Sequence, residues 1–276
     1  KTYPRHEQVM QYGEDDLCFI TRLLGEVGIW FRFTADTRLH IDVAEFCDSQ
    51  QGYEKGLTLP SVPPSGLHSA GLDAVWEMAC RHRVVEQQVS TRDYNYREAT
   101  ADMSAQVDVT RGETTTFGEA YHWGDNYLTA GNAHDRHPAP ESGAFYARLR
   151  HERYLNGQTR MQAITSCPTL CPGQVLKVTG GEEVAGEFAD GVLITAMHSH
   201  ARRDADFAVE FAGIPDSPDV GYRPEPGARP VMAGTLPARV TSTRENDTYG
   251  HIDKHGRYRV NMLFDRARWE TGFESL

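Results

Sequence analysis

The chain has 276 residues, of which 39% are hydrophobic and 24% charged, with a formal net charge of −11. That length leaves room for two domains, and that composition is globular rather than disordered. No run approaches the ~18 apolar residues of a membrane span, and the negative charge, with no Lys/Arg stripe interleaved with aromatics, excludes nucleic acid as the main partner.

The first residue is Lys1, and KTYPRHEQVMQYGEDD has no apolar signal-peptide core, so the chain reads as an internal segment. A helix is predicted from Glu14 to Val27. Leu17, Ile20, Leu24 and Val27 recur at helical spacing, Asp15 and Asp16 suit the positive end of the helix dipole, and Gly28 supplies a stop. Gly25 inside it costs roughly 1 kcal/mol against alanine, so packing must hold the helix. IWFRF follows as a strand, with LHIDVAEF as its hairpin partner. Residues 48–71, rich in Gly, Pro, Ser and Gln, read as a long surface connection. A short helix carrying Val75, Trp76 and Ala79 comes next, then strand character around Val85, Val89 and Thr91 and again in ADMSAQVDVT. The stretch TAGNAHDRHPAPESG is a loop. A second helix runs from Gly143 to about Leu155, with a narrow apolar stripe and a charged outer face at Arg148, Arg150, Glu152 and Arg153. RMQAITSC, GQVLKVTG, GVLITAMHSH and DFAVEFAGI are four strands. Pro215 to Pro237 is a proline-rich, extended linker. Beyond it, Ala238 to Thr243 pairs with a last strand in which Tyr258, Val260, Met262 and Phe264 share a face, after a turn that uses Gly256.

Candidate chemistry is sparse. The five cysteines, Cys18, Cys47, Cys80, Cys167 and Cys171, are odd in number and irregularly spaced, which fits a reducing cytosol. Cys167 and Cys171 lack a second pair for a zinc knuckle, and the proline after each suggests strand ends. His198 and His200 lie on one face of a strand, and His134, Asp135 and His137 form a loop cluster, but neither group has an evident third metal ligand in the sequence. His251 and His255 flank the last turn as ordinary polar residues. Ser166 has no G-x-S-x-G elbow, and neither a G-x-G-x-x-G nor a G-x-x-x-x-G-K-[ST] cradle occurs. No catalytic, cofactor-binding or metal residue is assigned.

Three stretches together resemble the VgrG spike proteins of bacterial type VI secretion systems, which are similar to the baseplate hub of contractile phage tails. They are residues 3–33 (YPRHEQVMQYGEDDLCFITRLLGEVGIWFRF), 84–105 (VVEQQVSTRDYNYREATADMSA) and 237–266 (PARVTSTRENDTYGHIDKHGRYRVNMLFDR). Tyr12, Glu14, Asp16, Phe19, Arg22, Leu23, Gly28 and Ile29 fall on the first family pattern. Asp15 replaces a common serine, Gly25 a common acidic residue, Tyr258 a usual valine and Phe264 a usual tryptophan.

The resemblance implies a mostly β fold with a few α-helices, built of phage-hub-like β-barrel domains followed by the start of an OB-fold barrel. Residues 1–80 become a hub α+β domain lacking its N-terminal part, 81–214 a second β-rich hub domain with one helix, 215–236 the linker and 237–276 the first barrel strands, with the remaining strands and the needle missing from the chain. It implies a mechanical part with no catalytic residue and no cofactor, a homotrimer seated on the hexameric tube protein. Its other implied partners are a tip protein and effectors or adaptors, and it is assembled in the bacterial cytoplasm and then injected into a target cell. The competing reading is a hydrolase, either a phage-tail wall-cleaving component or a metal-dependent enzyme using His198 and His200.

Overall fold

The computed structural model describes residues 2–6, 8–62, 72–110, 115–180, 184, 186–244 and 247–264. The fold is mostly β, with two α-helices among the described residues. Its chain separates into two compact units, Lys1–Pro4 with Ile20–Gly227, and Arg5–Phe19 with Ala228–Leu276.

Helix α1 spans Asp16–Glu26. Its first turn is held by Asp15, whose carboxylate accepts the Cys18 N–H at 2.8 Å and whose carbonyl accepts the Phe19 N–H at 2.9 Å. That Asp15 carboxyl is held below its usual range by the hydrogen bonds from Cys18. Gly28, at φ +74°, turns the chain out of the helix. Strands β1 (Trp30–Asp36) and β2 (Ile41–Cys47) form the predicted hairpin, in register from Trp30↔Cys47 to Asp36↔Ile41.

The larger sheet of the first unit has six strands in the order β3-β9-β10-β11-β8-β4. These are β3 (Glu54–Pro60), β4 (Val75–His82), β8 (Thr159–Thr165), β9 (Gln174–Thr179), β10 (Val192–Arg202) and β11 (Ala205–Pro215). Its core is a cluster including Val75, Met161, Leu176, Val192, Ile194, Val209 and Phe211, all nearly sealed from solvent. Alternation along β8 turns Met161 inward, as period-2 patterning requires. The predicted division at residues 80/81 falls inside this sheet, which takes β3 and β4 from one side and β8 to β11 from the other.

Two of the predicted elements are corrected. The residues read as a short helix are strand β4, paired antiparallel with β8. A bulge between Trp76 and Ala79, with Glu77 at φ +51°, adds one residue and shifts the phase, so that Val75, Met78 and Cys80 face the core. The resulting spacing imitates a helical stripe. Part of the connection predicted over 48–71 is strand β3, which pairs in parallel with β9. As an edge strand it tolerates Pro60, and Gly56 at φ +113° sits in its own irregularity. Of the remainder, 48–53 hold a short 3-10 turn at Gln50–Gly52, and 63–71 lie outside the described residues.

The smaller sheet has the order β6-β5-β7, from β5 (Gln88–Arg92), β6 (Ser104–Val107) and β7 (Glu119–Trp123). Helix α2 (Gly143–Asn156) lies on its inner face, where Val89, Val107 and Ala147 are buried together. In the second unit, β12 (Ala238–Val240) pairs with β13 (Val260–Met262) as predicted, and Gly256 takes φ +79° in the turn. The buried face is not the predicted one. Asn261 is buried while Tyr258 is exposed, because two short strands make no core of their own for an aromatic row to enter.

Candidate functional site

The ionic and hydrogen-bonding chemistry of the first unit converges on α2. Ser142 caps the helix, its Oγ accepting the Phe145 N–H at 3.2 Å. The expected charged outer face is corrected: His151 is 0% and Glu152 2% exposed. Glu152 accepts from Arg148 Nε at 2.9 Å and from Arg223 Nε at 2.5 Å. A carboxylate at that depth is tolerable only because two guanidiniums face it.

Arg223 belongs to the proline-rich segment, which over residues 216–227 is fastened to the first unit as a strap. Arg223 Nη1 donates to the carbonyls of Gly28 (3.1 Å) and Asp48 (3.0 Å), and its backbone N–H donates to Asn156 Oδ1 at 2.8 Å. Asn156 Nδ2 returns a bond to Gly221 O at 3.1 Å. Tyr53 Oη accepts the Tyr222 N–H at 2.8 Å, Gln50 donates to Ser217 O, and Lys55 pairs with Asp216. Burial pushes the Tyr53 phenol up to about 12. Arg153 donates to the carbonyls of Pro224, at 2.9 Å, and Gly25. Burial lowers this guanidinium to about 10, with Glu225 opposing, so it is still charged at neutral pH. Gly25 now has a reason. A Cβ there would stand 3.2 Å from Glu225 O and 3.3 Å from the Pro226 Cα, so the helix gives up a side chain to let the strap's backbone approach.

The opposite flank of α2 meets the small sheet. Arg150 grips Asp125 through both terminal nitrogens, and Thr91 Oγ1 donates to the same carboxylate at 3.2 Å. Burial works to raise the Asp125 carboxyl, but Arg150 and Thr91 hold it below its usual range. His122, on β7, lies 3.1 Å from Tyr154 Oη, and burial together with Arg150 lowers its imidazole. His151 bridges two segments: Nδ1 accepts the Val109 N–H at 2.9 Å and Nε2 lies 3.1 Å from Glu86 O.

A cleft of about 600 Å³ opens beside this network, floored by Phe145, Arg148, Leu149 and Glu152 and walled by Val107, Val109 and the strap. The loop His134, Asp135, Arg136 and His137 forms part of its rim. Asp135 is occupied in its own turn, accepting the His137 N–H at 3.0 Å. His198 and His200 are brought together with ring centroids 4.3 Å apart, exposed on β10 and outside the cleft. Among the described residues no three His, Cys, Asp or Glu side chains are grouped to hold a metal ion. The cysteines are all free; Cys167 is buried with its Sγ 3.3 Å from Thr169 Oγ1, and Cys167 and Cys171 lie between the end of β8 and the start of β9. Ser166 donates to Asp73 and accepts the Ala74 N–H, both at 3.2 Å. His251 and His255 flank the turn, where the His255 N–H donates to Asp253.

Sequence reasoning finds none of the α2 network. The spacing of Arg148 and Glu152 is a visible i,i+4 pair, but nothing local ties Glu152 to a residue 71 positions away.

What the arrangement does is fasten. It locks a helix, two sheets and a strap into one body. The chain belongs to the phage tail baseplate hub (GPD) family, which it matches over residues 1–205. It is similar to two type VI secretion system spike proteins of Pseudomonas aeruginosa. One is VgrG1b, 22% identical over 276 residues that cover 96% of this chain and 35% of that protein. The other is VgrG4b, 23% identical over 296 residues, with 96% and 33% covered. A solved structure of the E. coli c3393 protein is described as a component of the type VI secretion system with structural similarity to the T4 bacteriophage tail proteins gp27 and gp5. It matches with a TM-score of 0.68 and 43% identity, covering 100% of this chain and 56% of that one. The VgrG resemblance carried by the sequence motifs therefore has a counterpart in the fold. The chain spans about a third of the length of these spike relatives.

Proposed function

We propose that this chain is the hub portion of a type VI secretion spike that works as a homotrimer on the tip of the hexameric tube. It transmits load by shape and interface and uses no reactive centre. The hairpin β12–β13 begins an OB-like barrel, and the assembled spike, loaded in the cytoplasm with a tip protein and effectors, is driven out into a target cell. Residues 1–80 and 81–214 correspond to the two hub domains in this reading, joined through the six-stranded sheet.

The observation that carries the proposal is the 43% identity to a type VI secretion component along the entire chain. The surface of the first unit supports it. Phe33 and Phe46 on the β1–β2 hairpin are 67% and 57% exposed, and Tyr121 and Trp123 on β7 are 61% and 62% exposed. Aromatic faces of this kind mark contact surfaces. Among the described residues no helix is long and apolar enough to cross a membrane.

The test is light scattering on the full-length protein together with a secretion assay for the tube protein. A trimer is expected, and Trp123→Asp or Phe33→Asp is expected to weaken it while leaving circular dichroism unchanged, since both side chains are exposed. A full-length protein that is monomeric, or whose deletion leaves tube secretion intact, would refute the proposal.

A further inference from the structure

His151 is fully buried, and its two ring nitrogens have partners whose roles are fixed by chemistry. The Val109 N–H can only donate, so Nδ1 must carry a lone pair. The Glu86 carbonyl can only accept, so Nε2 must carry the proton. The imidazole is thus neutral and held as a single tautomer, and it ties α2 at once to the chain entering β5 and to the chain leaving β6. Val109 also forms part of the cleft wall, next to Val107 and Asp108.

We propose that His151 is an acid-operated catch: proton uptake at Nδ1 sets one N–H against another, releases Val109, and lets residues 108–110 swing away from α2 and widen the cleft. Among the described residues, few charged or polar groups face the ring. On α2 itself Arg148 opposes a charged imidazole and Glu152 favours it, after β6 Asp108 favours it, and before β5 Glu86 contributes a backbone carbonyl that favours it. Burial outweighs them and holds the imidazole below its ordinary value. A folded-state value that is depressed means the catch is fully engaged above the ordinary imidazole value of ~6.5 and loses its advantage as pH falls below it. If the closed form stays neutral while the open form titrates normally, opening increases up to ~30-fold between pH 7.5 and 5.0.

Hydrogen exchange of peptides spanning 104–110, corrected for the intrinsic pH dependence of exchange, reads the opening on the intact chain. The expected result is a reversible loss of protection at Val109 of ~10- to 30-fold at pH 5.0, with β8 amides unchanged. His151→Gln, which keeps one acceptor and one donor but cannot titrate, is expected to hold its protection constant between the two pH values. His122→Phe removes an imidazole elsewhere on the α2 network and is expected to leave the acid response in place. Protection at Val109 that does not change with pH, or an acid response that survives in His151→Gln, overturns the proposal. Should His151→Gln not fold, imidazole NMR of the unsubstituted protein decides: a His151 ring that gains its proton while the Val109 amide resonance stays fixed equally overturns it.

Discussion

Replacing Arg223 with alanine removes one of the two guanidiniums facing Glu152, a carboxylate whose side chain is only 3% exposed. Stripping one partner from a buried pair costs about 3–5 kcal/mol, because the remaining charge is stranded. Arg148 still faces Glu152 and moderates that cost. The lost bonds to the Gly28 and Asp48 carbonyls add about 1 kcal/mol each. The expected net loss in the first unit is therefore about 3–5 kcal/mol. With a urea dependence of about 3 kcal/mol per molar for a body of this size, the unfolding midpoint falls by about 1–1.7 M. Tryptophan fluorescence is a suitable probe, since Trp30 is 5% exposed and packs against Tyr53. The pairing itself is isolated by a double-mutant cycle of Glu152→Gln with Arg223→Met, expected to give a coupling above about 1 kcal/mol. A loss below 1 kcal/mol on Arg223→Ala, with no coupling in the cycle, would show the strap to be a passive covering and refute the reasoning.

Gly25→Ala should fail to deliver the roughly 1 kcal/mol that helix propensity promises, and should lower the melting temperature, because the new Cβ meets strap backbone at 3.2–3.3 Å. Gly28→Ala should cost more, about 2 kcal/mol or above in chemical denaturation, since it combines φ +74° with a Cβ 2.6 Å from Leu149 Cδ2. The Tyr53 phenol, raised to about 12 in the fold, contributes stability that is complete below the ordinary value of ~10 and is lost as pH rises towards 12. Alkaline titration of Tyr53→Phe should therefore show a weaker decline over that window than the unsubstituted protein. It should also show a lower stability at neutral pH, from the lost acceptor for the Tyr222 N–H; equal alkaline declines would contradict the assignment.

Where local pattern and tertiary demand coincide, the sequence is readable. Helix α1 is legible as an element from the spacing of Leu17, Ile20 and Leu24 and its stop at Gly28, although Leu17 and Ile20 are exposed and Arg22 and Gly25 are its buried residues. The β1–β2 hairpin follows from aromatic and β-branched residues, and the four strands after α2 follow from β-branched runs. Where a bulge intervenes, the same logic misleads: one extra residue at Glu77 gives β4 the spacing of a helix. Strand β3 hides behind its Gly and Pro because an edge position forgives both. Strand β7, which the sequence reading leaves without an element, owes its existence to parallel pairing with β5, a non-local contact. The absence of sequence motifs for chemistry said little about α2, whose charged residues look like a solvated face until their partners are known.

Three blocks of ordered motifs were enough to read the family, and most of the element list, from the residues alone, because backbone geometry and hydrophobic period are properties of neighbours along the chain. The folded chain shows what the residues alone did not: Glu152 and His151 are buried, residues 216–227 are fastened to the first unit, and Gly25 is a seat for them. The physical reason is distance along the chain. A buried charge is tolerated only beside an opposite charge, and Arg223 reaches Glu152 through folding, with no local pattern to announce it.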